Sequence, residues 1–334
     1  MKFKRMLSLI LLVTILISYW VNGGLVYGQE SRNEVLVIPD TEVKFLIDPD
    51  LVLDENGNLL AEVADLFGGF DRDRNRRITM QFMDTPCQVF NENGWMNRIR
   101  YRDWTQPNEG YQITYRRRIP IWPVNEQIIG EAVEQAYADG FYDWDINIDW
   151  SYDSAVLTLS YTVQTGGPVS NEFLNDEIAR VLLQDHLPEQ VARHYSQELL
   201  ASFDRVVVHG PVIFRRYEFN FPGTNERILR IEVLPFTQPD GSVIDYLVEV
   251  SFEFENEGNL EVIRQRREEI QVLLNDAGIL LPESGLRASV VLDRYSTSYR
   301  HDEGSWKLMV GFVLLTATLL LFINWYIKKI KQRG

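Results

Sequence analysis

Polar and apolar residues alternate along much of the chain, and alternation with a period of two is typical of a β-strand that buries one face. The strand-like segments are residues 34–47, 77–82, 97–101, 111–121, 144–151, 155–162, 205–209, 213–221, 227–234 and 245–255. Segments with helical periodicity interrupt them at residues 125–139, 171–203 and 260–276, the second with a break near Pro188. A last strand is predicted at residues 288–292. Successive strands with interposed helices indicate an α+β fold built on an antiparallel sheet or barrel.

Charged residues occupy one face of several predicted strands. Asp40, Glu42 and Lys44 share a face of the first strand, and Lys44 is the only lysine between Lys4 and Lys307. Similar rows are Arg98, Arg100 and Arg102; Arg116 and Arg118; Arg230 and Glu232; and Glu249, Ser251, Glu253 and Glu255. An exposed sheet face with cross-strand ion pairs would give the same rows. A closed barrel also explains the apolar opposite faces, because these would pack outward under helices while charged residues line a polar lumen.

The two ends of the chain are apolar and predict its topology. Residues 1–28 have a basic start and an apolar centre, which indicates a signal peptide or, if it is not cleaved, a signal anchor. Residues 307–327 are long enough to span a bilayer as a helix, and the basic tail 328–334 is expected in the cytoplasm. Residues 30–292 are therefore expected to form a domain outside the cell on a single-pass membrane protein, joined to its helix by a stalk at residues 293–306.

The charge of the expected outer domain excludes some partners. All 48 acidic residues but only 25 of the 33 basic ones lie between residues 30 and 306, so this region carries a formal charge of about −23. Nucleic acid and anionic membrane surfaces require a basic face, so neither is expected as a partner. Cys87 is the only cysteine, and an intramolecular disulfide is therefore impossible. No feature of the sequence predicts a protein partner.

Several segments resemble the signature of the CYTH proteins, the triphosphate tunnel metalloenzymes. "DTEVKFLID" is similar to the family's opening strand, in which two acids and a lysine alternate, with Asp40 at the position of the first glutamate. "MQFMDTPCQVFNENGWMNRIR" resembles the next segment, an Asp-Thr pair followed by a glycine and Arg-x-Arg. "YQITYRRRIPI" and "LRIEVLPF…DYLVEVSFE" resemble later strands. Together the similar segments cover residues 36 to 292.

The resemblance implies an eight-stranded antiparallel barrel with flanking helices that forms a tunnel for a triphosphate. By position, the resemblance assigns phosphate binding to Lys44, Arg98, Arg100, Arg116 and Arg230. It assigns binding of Mg²⁺ or Mn²⁺ to Asp40, Glu42, Glu249, Glu232 and Glu253. Arginine forks and a lysine suit phosphate oxygens, and carboxylates suit hard divalent cations. The resemblance names no catalytic residue beyond these groups.

Three functions follow from this site. The first is a membrane-anchored domain that binds an inorganic or organic tri- or polyphosphate and hydrolyses it with the metal. The alternative is a non-catalytic sensor or interaction module on the same fold, because Asp40 is shorter than glutamate and Ser251 stands where the family has a second acid. The third, synthesis of polyphosphate, requires a nucleoside triphosphate on the side of the membrane where the topology does not place one.

Overall fold

The computed structural model describes residues 38–68, 76–102, 110–166, 173–220, 228–237, 242–254, 259–282 and 289–295. The predicted signal segment, membrane helix and basic tail lie outside these residues, as does most of the predicted stalk. Within the described ranges, no helix is both long and apolar enough to cross a membrane.

Ten strands form one sheet. They are β1 (Asp40–Ile47), β2 (Arg76–Asp84), β3 (Trp95–Arg102), β4 (Gln112–Pro120), β5 (Asp145–Trp150), β6 (Ala155–Gln164), β7 (Val207–Asn220), β8 (Ile228–Thr237), β9 (Val243–Phe254) and β10 (Leu280–Leu281). The order of strands in the sheet is β10-β1-β5-β6-β4-β3-β2-β7-β8-β9. An additional pairing of β1 with β9 closes nine of the strands into a barrel, and the two-residue strand β10 pairs with the end of β1.

The closure of the barrel corrects the prediction of eight antiparallel strands. Among the described strands, nine close the barrel, and β1 runs parallel to β5 while the other neighbours are antiparallel. Glu42 has Asp149 of β5 on one side and Glu253 of β9 on the other. The two partners lie far apart in the sequence, and local alternation contains no information on which distant strands pair or in which direction.

Two predicted strands, 205–209 and 213–221, are one continuous strand, β7. Met80 of β2 pairs with Val212 and Phe82 pairs with His209, so Gly210 and Pro211 together lie opposite the single residue Gln81. This is a β-bulge, which bends a strand without ending it. The sequence pattern left a gap between the two predicted strands at residues 210–212, and the Gly-Pro pair in this gap marks the bulge.

Helices cover the outside of the barrel. They are Pro49–Val52, Ala61–Asp65, Val89–Glu92, Glu126–Ala138, Asp176–Asp185, Glu189–Ala192, Gln197–Ser202 and Leu260–Asp276, with a 3₁₀ turn at Phe203–Arg205. The three predicted helical regions are confirmed, including the break at Pro188. Helix Leu260–Asp276 begins where the Asn259 side chain accepts a hydrogen bond from the Glu261 amide (3.0 Å), and it packs on β1 through buried apolar residues such as Ile263 and Ile270.

The predicted last strand at residues 288–292 is wrong, because residues 289–295 are helical. We call residues 289–295 the plug segment. Its side chains Val291 and Leu292 are fully buried. A short apolar run does not distinguish a strand from a buried helical turn, which explains the error.

Candidate anion-binding site

The lumen of the barrel is divided into a charged part and an apolar part. On strands β1, β3, β7, β8 and β9, the inward-facing residues are charged towards one end of the strand and apolar towards the other, as where Lys44 precedes Leu46 on β1 and Phe214 precedes Arg216 on β7. The buried apolar cluster consists of Leu46, Ile78, Met80, Phe82, Met96, Val212, Phe214, Leu234, Phe236, Leu247, Val291 and Leu292. The plug segment thus packs into the apolar part of the lumen.

A cavity of about 290 Å³ occupies the charged part. Its lining consists of Glu42, Lys44, Met80, Phe82, Met96, Arg98, Arg100, Arg116, Arg118, Asp149, Phe214, Arg216, Arg230 and Glu253, and we call this the charged pocket. Among these described residues, seven cations stand against three carboxylates, which leaves a formal charge of +4. An acidic protein therefore has a strongly basic interior site.

Lys44 lies at the junction of three strands. Its Nζ is 2.7 Å from Oε2 of Glu42 on its own strand and 2.7 Å from Oδ1 of Asp149 on β5. The side chain is buried, and β-pairing places Ser251 of β9 directly opposite. A compact ammonium can contact both carboxylates at once, which suits this crowded position.

Asp149 is the most strongly held carboxylate of the pocket. It accepts hydrogen bonds from Lys44 Nζ and from Thr158 Oγ1 (2.8 Å), and Nη1 of Arg116 lies 3.5 Å away. Burial alone would raise the pKa of Asp149, but Lys44 and Arg116 hold the pKa well below its usual value. Asp149 is therefore a fixed negative charge at neutral pH.

Strands β7, β8 and β9, which adjoin β1 on the side away from β5, carry two further ion pairs. Arg230 Nη1 lies 2.9 Å from Oε2 of Glu253, and Arg216 Nη2 lies 2.6 Å from Oε1 of the buried Glu232. The pKa of Arg230, which burial alone would lower, is raised by the hydrogen bond and charge of Glu253. Within the described part of the chain, the buried Nε of Arg230 has no acceptor.

Three further cations donate hydrogen bonds to neutral polar groups. Arg116 Nε donates to Ser160 Oγ at 2.9 Å, and Arg100 Nε donates to Gln112 Oε1 at 2.8 Å. Arg118 donates through Nη1 to Ser289 Oγ of the plug segment (3.1 Å). Neutral partners orient a guanidinium without cancelling its charge, and of these three cations Arg116 is also paired with Asp149.

All five residues predicted to bind phosphate line the charged pocket. Of the five predicted metal ligands, only Glu42 and Glu253 do, and they lie directly opposite each other across β1 and β9. Glu232 and Glu249 are directly opposite across β8 and β9 but are buried outside the pocket lining, and Asp40 lies at the start of β1 beyond it.

The fit of the carboxylates to a divalent cation is limited. Among the described residues, no group of three or more His, Cys, Asp or Glu side chains is arranged to hold a metal ion. Mg²⁺ that accompanies a phosphate is bound by one or two carboxylates, and oxygens of the phosphate and of water complete its coordination. Glu42 and Glu253 are sufficient for this kind of binding. The site fits a metal that enters with a phosphate better than one bound by protein alone.

Three charged residues of the pocket lining were not among the predicted site residues: Arg118, Arg216 and Asp149. Arg118 shares a strand face with Arg116, and Arg216 shares one with Phe214, on strands that were recognised, so the period-two pattern could have placed them inside the barrel. Asp149 follows the same pattern in "DINIDW", where Asp145, Asn147 and Asp149 share a face. Its proximity to Lys44 depends on the parallel β1–β5 pairing, which the sequence did not reveal.

Comparison with solved structures finds proteins of low sequence identity. HpAC1 from Hippeastrum, described as a candidate adenylyl cyclase with a dominant triphosphatase activity, is 12% identical, and the match covers 75% of this chain and 93% of that one at a TM-score of 0.43. The bh2851 protein of Bacillus halodurans, described as a candidate adenylate cyclase, is 12% identical over 74% and 95% of the two chains at a TM-score of 0.42. PH1819 from Pyrococcus horikoshii is 10% identical over 76% and 99%, at 0.36.

No protein-family model and no curated protein matches the chain. The structural likenesses are too weak to transfer a site, so the charged pocket stands on its own geometry.

Proposed function

We propose that the charged pocket binds a linear tri- or polyphosphate, inorganic or organic. The observation that carries this proposal is the excess of four positive charges among the residues that line one cavity of a protein whose net charge is −15. Buried charge of one sign is costly unless it is compensated, and a polyanionic ligand supplies the compensation. The similarity of "DTEVKFLID" and of the Asp84-Thr85 to Arg98-x-Arg100 segment to the triphosphate tunnel family supports the same ligand.

Arginine side chains give the pocket its preference for phosphate. The planar guanidinium presents parallel N–H donors that match two oxygens of a phosphate, whereas lysine acts as a point charge. Arg98, Arg100, Arg116 and Arg230 would contact the phosphate chain together with Arg118 and Arg216. Lys44 would contribute its charge from the wall beside Asp149.

We further propose that the pocket hydrolyses the terminal phosphoanhydride bond of this ligand. Glu42, Glu253 and the ligand oxygens would hold a divalent cation, which would supply charge neutralisation at the phosphates. In the reaction the oxygen of water forms a bond to the terminal phosphorus and the bridging P–O bond breaks. Orthophosphate and a chain shorter by one phosphate leave, and one proton passes to solvent. The arginines hold the chain and stabilise charge on the leaving oxygen.

A second candidate function, binding without turnover, is favoured by a specific observation. Each of the three carboxylates that line the pocket is ion-paired to a lysine or arginine: Glu42 and Asp149 to Lys44, and Glu253 to Arg230. Next to them, at the position between Lys44 and Arg230 in the sheet, stands the neutral Ser251. In this candidate the pocket acts as a sensor of phosphate compounds.

One experiment separates the two candidates. The purified full chain is incubated with tripolyphosphate, ATP or polyphosphate in Mn²⁺, Mg²⁺ or EDTA, and both phosphate release and the shift in Tm are measured. Hydrolysis predicts metal-dependent release, which Glu42→Gln reduces more than tenfold. A rise in Tm without release establishes the second candidate, and the absence of both contradicts phosphate binding altogether.

Variants of two arginines test the location of the site. Arg98→Gln is expected to weaken tripolyphosphate binding more than tenfold, because it removes a cation from the pocket. The matched control is Arg215→Gln, an exposed arginine that points away from the lumen, and it is expected to leave binding unchanged. Equal effects of the two substitutions would show that the ligand binds elsewhere.

We also infer that the barrel is anchored in the cell membrane with the pocket outside. The apolar segments at both ends of the sequence and the basic tail 328–334 support this topology. Protease added to intact cells is expected to digest the barrel domain. Protection of the domain would contradict the topology and would favour synthesis of polyphosphate inside the cell.

A further inference from the structure

We propose that the barrel stands on the lipid bilayer with the end that holds the plug segment, and that a rim of exposed apolar side chains at this end contacts the lipid. We call this end, where β1 and β4 finish and β6 and β9 begin, the plug end. The inference rests on the proposed membrane anchoring of the chain. It adds an orientation of the barrel, with the charged part of the lumen on the side away from the bilayer, and a membrane contact besides the predicted helix.

The first observation is the location of the most exposed apolar side chains. Among the described residues, the large apolar side chains that are at least half exposed are Leu51 (52%), Trp122 (50%), Tyr142 (68%), Ile244 (60%) and Val272 (56%). All of these except Tyr142 lie at the plug end. Single exposed apolar side chains scattered over a surface are ordinary, but several at one end of a molecule mark an interaction surface.

Two of these side chains lie where β9 passes the end of β1. Leu51 belongs to the short helix directly after β1, and this helix packs against β9. The pairing of β9 with β1 stops at Val248, opposite Ile47. Ile244 and the exposed Val243 form the start of β9 and therefore project beyond the end of β1.

Val272 and Trp122 extend this rim. Val272 lies one turn before the end of helix Leu260–Asp276, and strand β10, which follows this helix, pairs with the last residues of β1. Trp122 follows β4, whose last residue Pro120 pairs with Val156 at the start of β6. Tryptophan is enriched at the boundary between water and lipid, where its ring suits both environments.

The second observation is that the described chain stops at the plug end, on its way to the predicted membrane helix. Arg294 pairs with Asp245, which directly follows Ile244 on β9. The last described residue is Tyr295, and eleven residues, 296–306, separate it from the start of the predicted helix. Fully extended, eleven residues span at most about 40 Å. The plug end is therefore the part of the barrel that the predicted helix holds closest to the bilayer.

The charges beside the rim indicate which lipid suits it. Asp50 is exposed next to Leu51, and Asp276 is exposed one turn after Val272. These carboxylates repel anionic headgroups, so the rim fits a zwitterionic surface through its apolar side chains. A second copy of the chain could cover the same rim, but the connection to the predicted helix brings only the bilayer to it.

Fluorescent probes at single positions of the full chain test this orientation. The exposed Cys87 is first replaced by serine. Ile244→Cys, Val272→Cys and, as the control, Tyr142→Cys are then labelled with the fluorophore NBD and reconstituted into phosphatidylcholine nanodiscs. Tyr142 is at least as exposed as the other two, but it precedes β5, which begins opposite Ser160, the residue that binds Arg116 of the charged pocket.

Contact with the bilayer predicts quenching by a lipid that carries a nitroxide. Because apolar residues at a membrane surface lie about 5–10 Å below the headgroup boundary, we expect quenching at Ile244 and Val272 to be at least about threefold stronger than at Tyr142. Replacement of part of the phosphatidylcholine by anionic phosphatidylglycerol is expected to weaken the quenching at Ile244. Unchanged Tm values of the labelled variants show that the labels leave the fold intact.

The outcomes separate the orientation from the anchoring on which it rests. Equal quenching at the three positions, or quenching at Tyr142 alone, would overturn the orientation. A blue-shifted emission at Ile244 without quenching by the lipid would mean that a second copy of the chain covers the rim, which also overturns it. If the unlabelled full chain does not stay with the nanodiscs in gel filtration, the proposed anchoring itself fails, and the inference fails with it.

Discussion

At the scale of single residues, Lys44 shows how one side chain connects separate parts of the chain. Its ammonium contacts Glu42 on β1 and Asp149 on β5, and these two strands form the parallel pair of the barrel. The charge that Lys44 would contribute to the proposed site is therefore also part of the contact between strands. Under the proposed function, binding and stability depend on the same side chain.

Replacement of Asp149 tests this coupling. Asp149→Asn leaves Lys44 buried with one carboxylate fewer, and loss of one partner of a buried ion pair costs about 3 kcal/mol. We expect a lower free energy of unfolding by about this amount, measured by urea denaturation at pH 7. Asp145→Asn on the same strand is the control, because Asp145 is exposed and its loss should change little. A similar effect of both substitutions would contradict a special role of Asp149.

The pH dependence of this variant follows from the direction of the shift. The folded-state pKa of Asp149 lies below the ordinary value of 3.8, so its stabilising contribution is present above that pH. The contribution is lost as pH falls through 3.8 towards the folded-state pKa. The difference in stability between wild type and Asp149→Asn should therefore be constant from pH 7 to about 5 and should shrink below about 4.

Asp84 is predicted to show the opposite dependence. Its buried carboxylate accepts hydrogen bonds from the amides of Thr85, Phe90 and Asn91, but burial outweighs these bonds and raises its pKa from 3.8 to about 6. The folded state then holds a proton that the unfolded chain releases between these pH values, so the free energy of unfolding rises as pH falls from 7 to about 4. The gain is about 3 kcal/mol at most, from about 1.4 kcal/mol per pH unit.

The free energies of unfolding of wild type and of Asp84→Asn, each measured at pH 4.5 and pH 7, check this prediction. In Asp84→Asn the group no longer titrates, so the difference in unfolding free energy between pH 4.5 and pH 7 should be smaller than in wild type. An unchanged difference would mean that the three amide hydrogen bonds keep Asp84 ionised throughout this range.

At the scale of elements, strand β7 shows the effect of one glycine. Gly210 has φ +126°, and a Cβ at this residue would lie 3.1 Å from the Val212 amide nitrogen. Gly210→Ala is therefore expected to destabilise the protein by about 2 kcal/mol in urea denaturation. Gly278→Ala is the control, because Gly278 also has positive φ (+71°) but faces open space, and about 1 kcal/mol is expected. Equal losses would show that crowding at the bulge has little effect.

Helices and strands could be predicted where residues close in the sequence determine them. Helix Leu260–Asp276 could be placed from Asn259, from its apolar periodicity and from Gly278, all of which act within a few residues. Period-two alternation likewise identified the strands and the inward-facing arginines. The bulge at Gly210 and the helical plug segment could not be predicted, because packing against distant β2 and the apolar lumen determines both.

At the scale of the whole molecule, the difference between local patterns and contacts of distant residues also explains which residues were missing from the predicted site. The cations that alternate on recognised strands were placed correctly on one face, and the inner wall of the barrel brings them together. The set of carboxylates around them depended on strand order. Glu42, Asp149 and Glu253 are neighbours only because β1 lies between β5 and β9, and no local pattern encodes that arrangement.

The position of β1 leads to a prediction for truncated chains. Glu42 pairs with Asp149, about one hundred residues later, and with Glu253, about two hundred residues later. A chain that ends at residue 242 lacks β9 and leaves one edge of β1 without its partner. We expect circular dichroism and proteolysis to show that this fragment is unfolded or aggregated. A cooperatively folded fragment would contradict the requirement for closure.

The pairing of the first strand with the last long one also governs the order of events during synthesis. Contacts between residues so far apart form slowly, and the barrel cannot close until nearly the whole domain has been made. A growing chain is thereby kept from closing the barrel early. With the proposed location outside the cell, we expect the N-terminal part of the chain to enter export before the barrel closes.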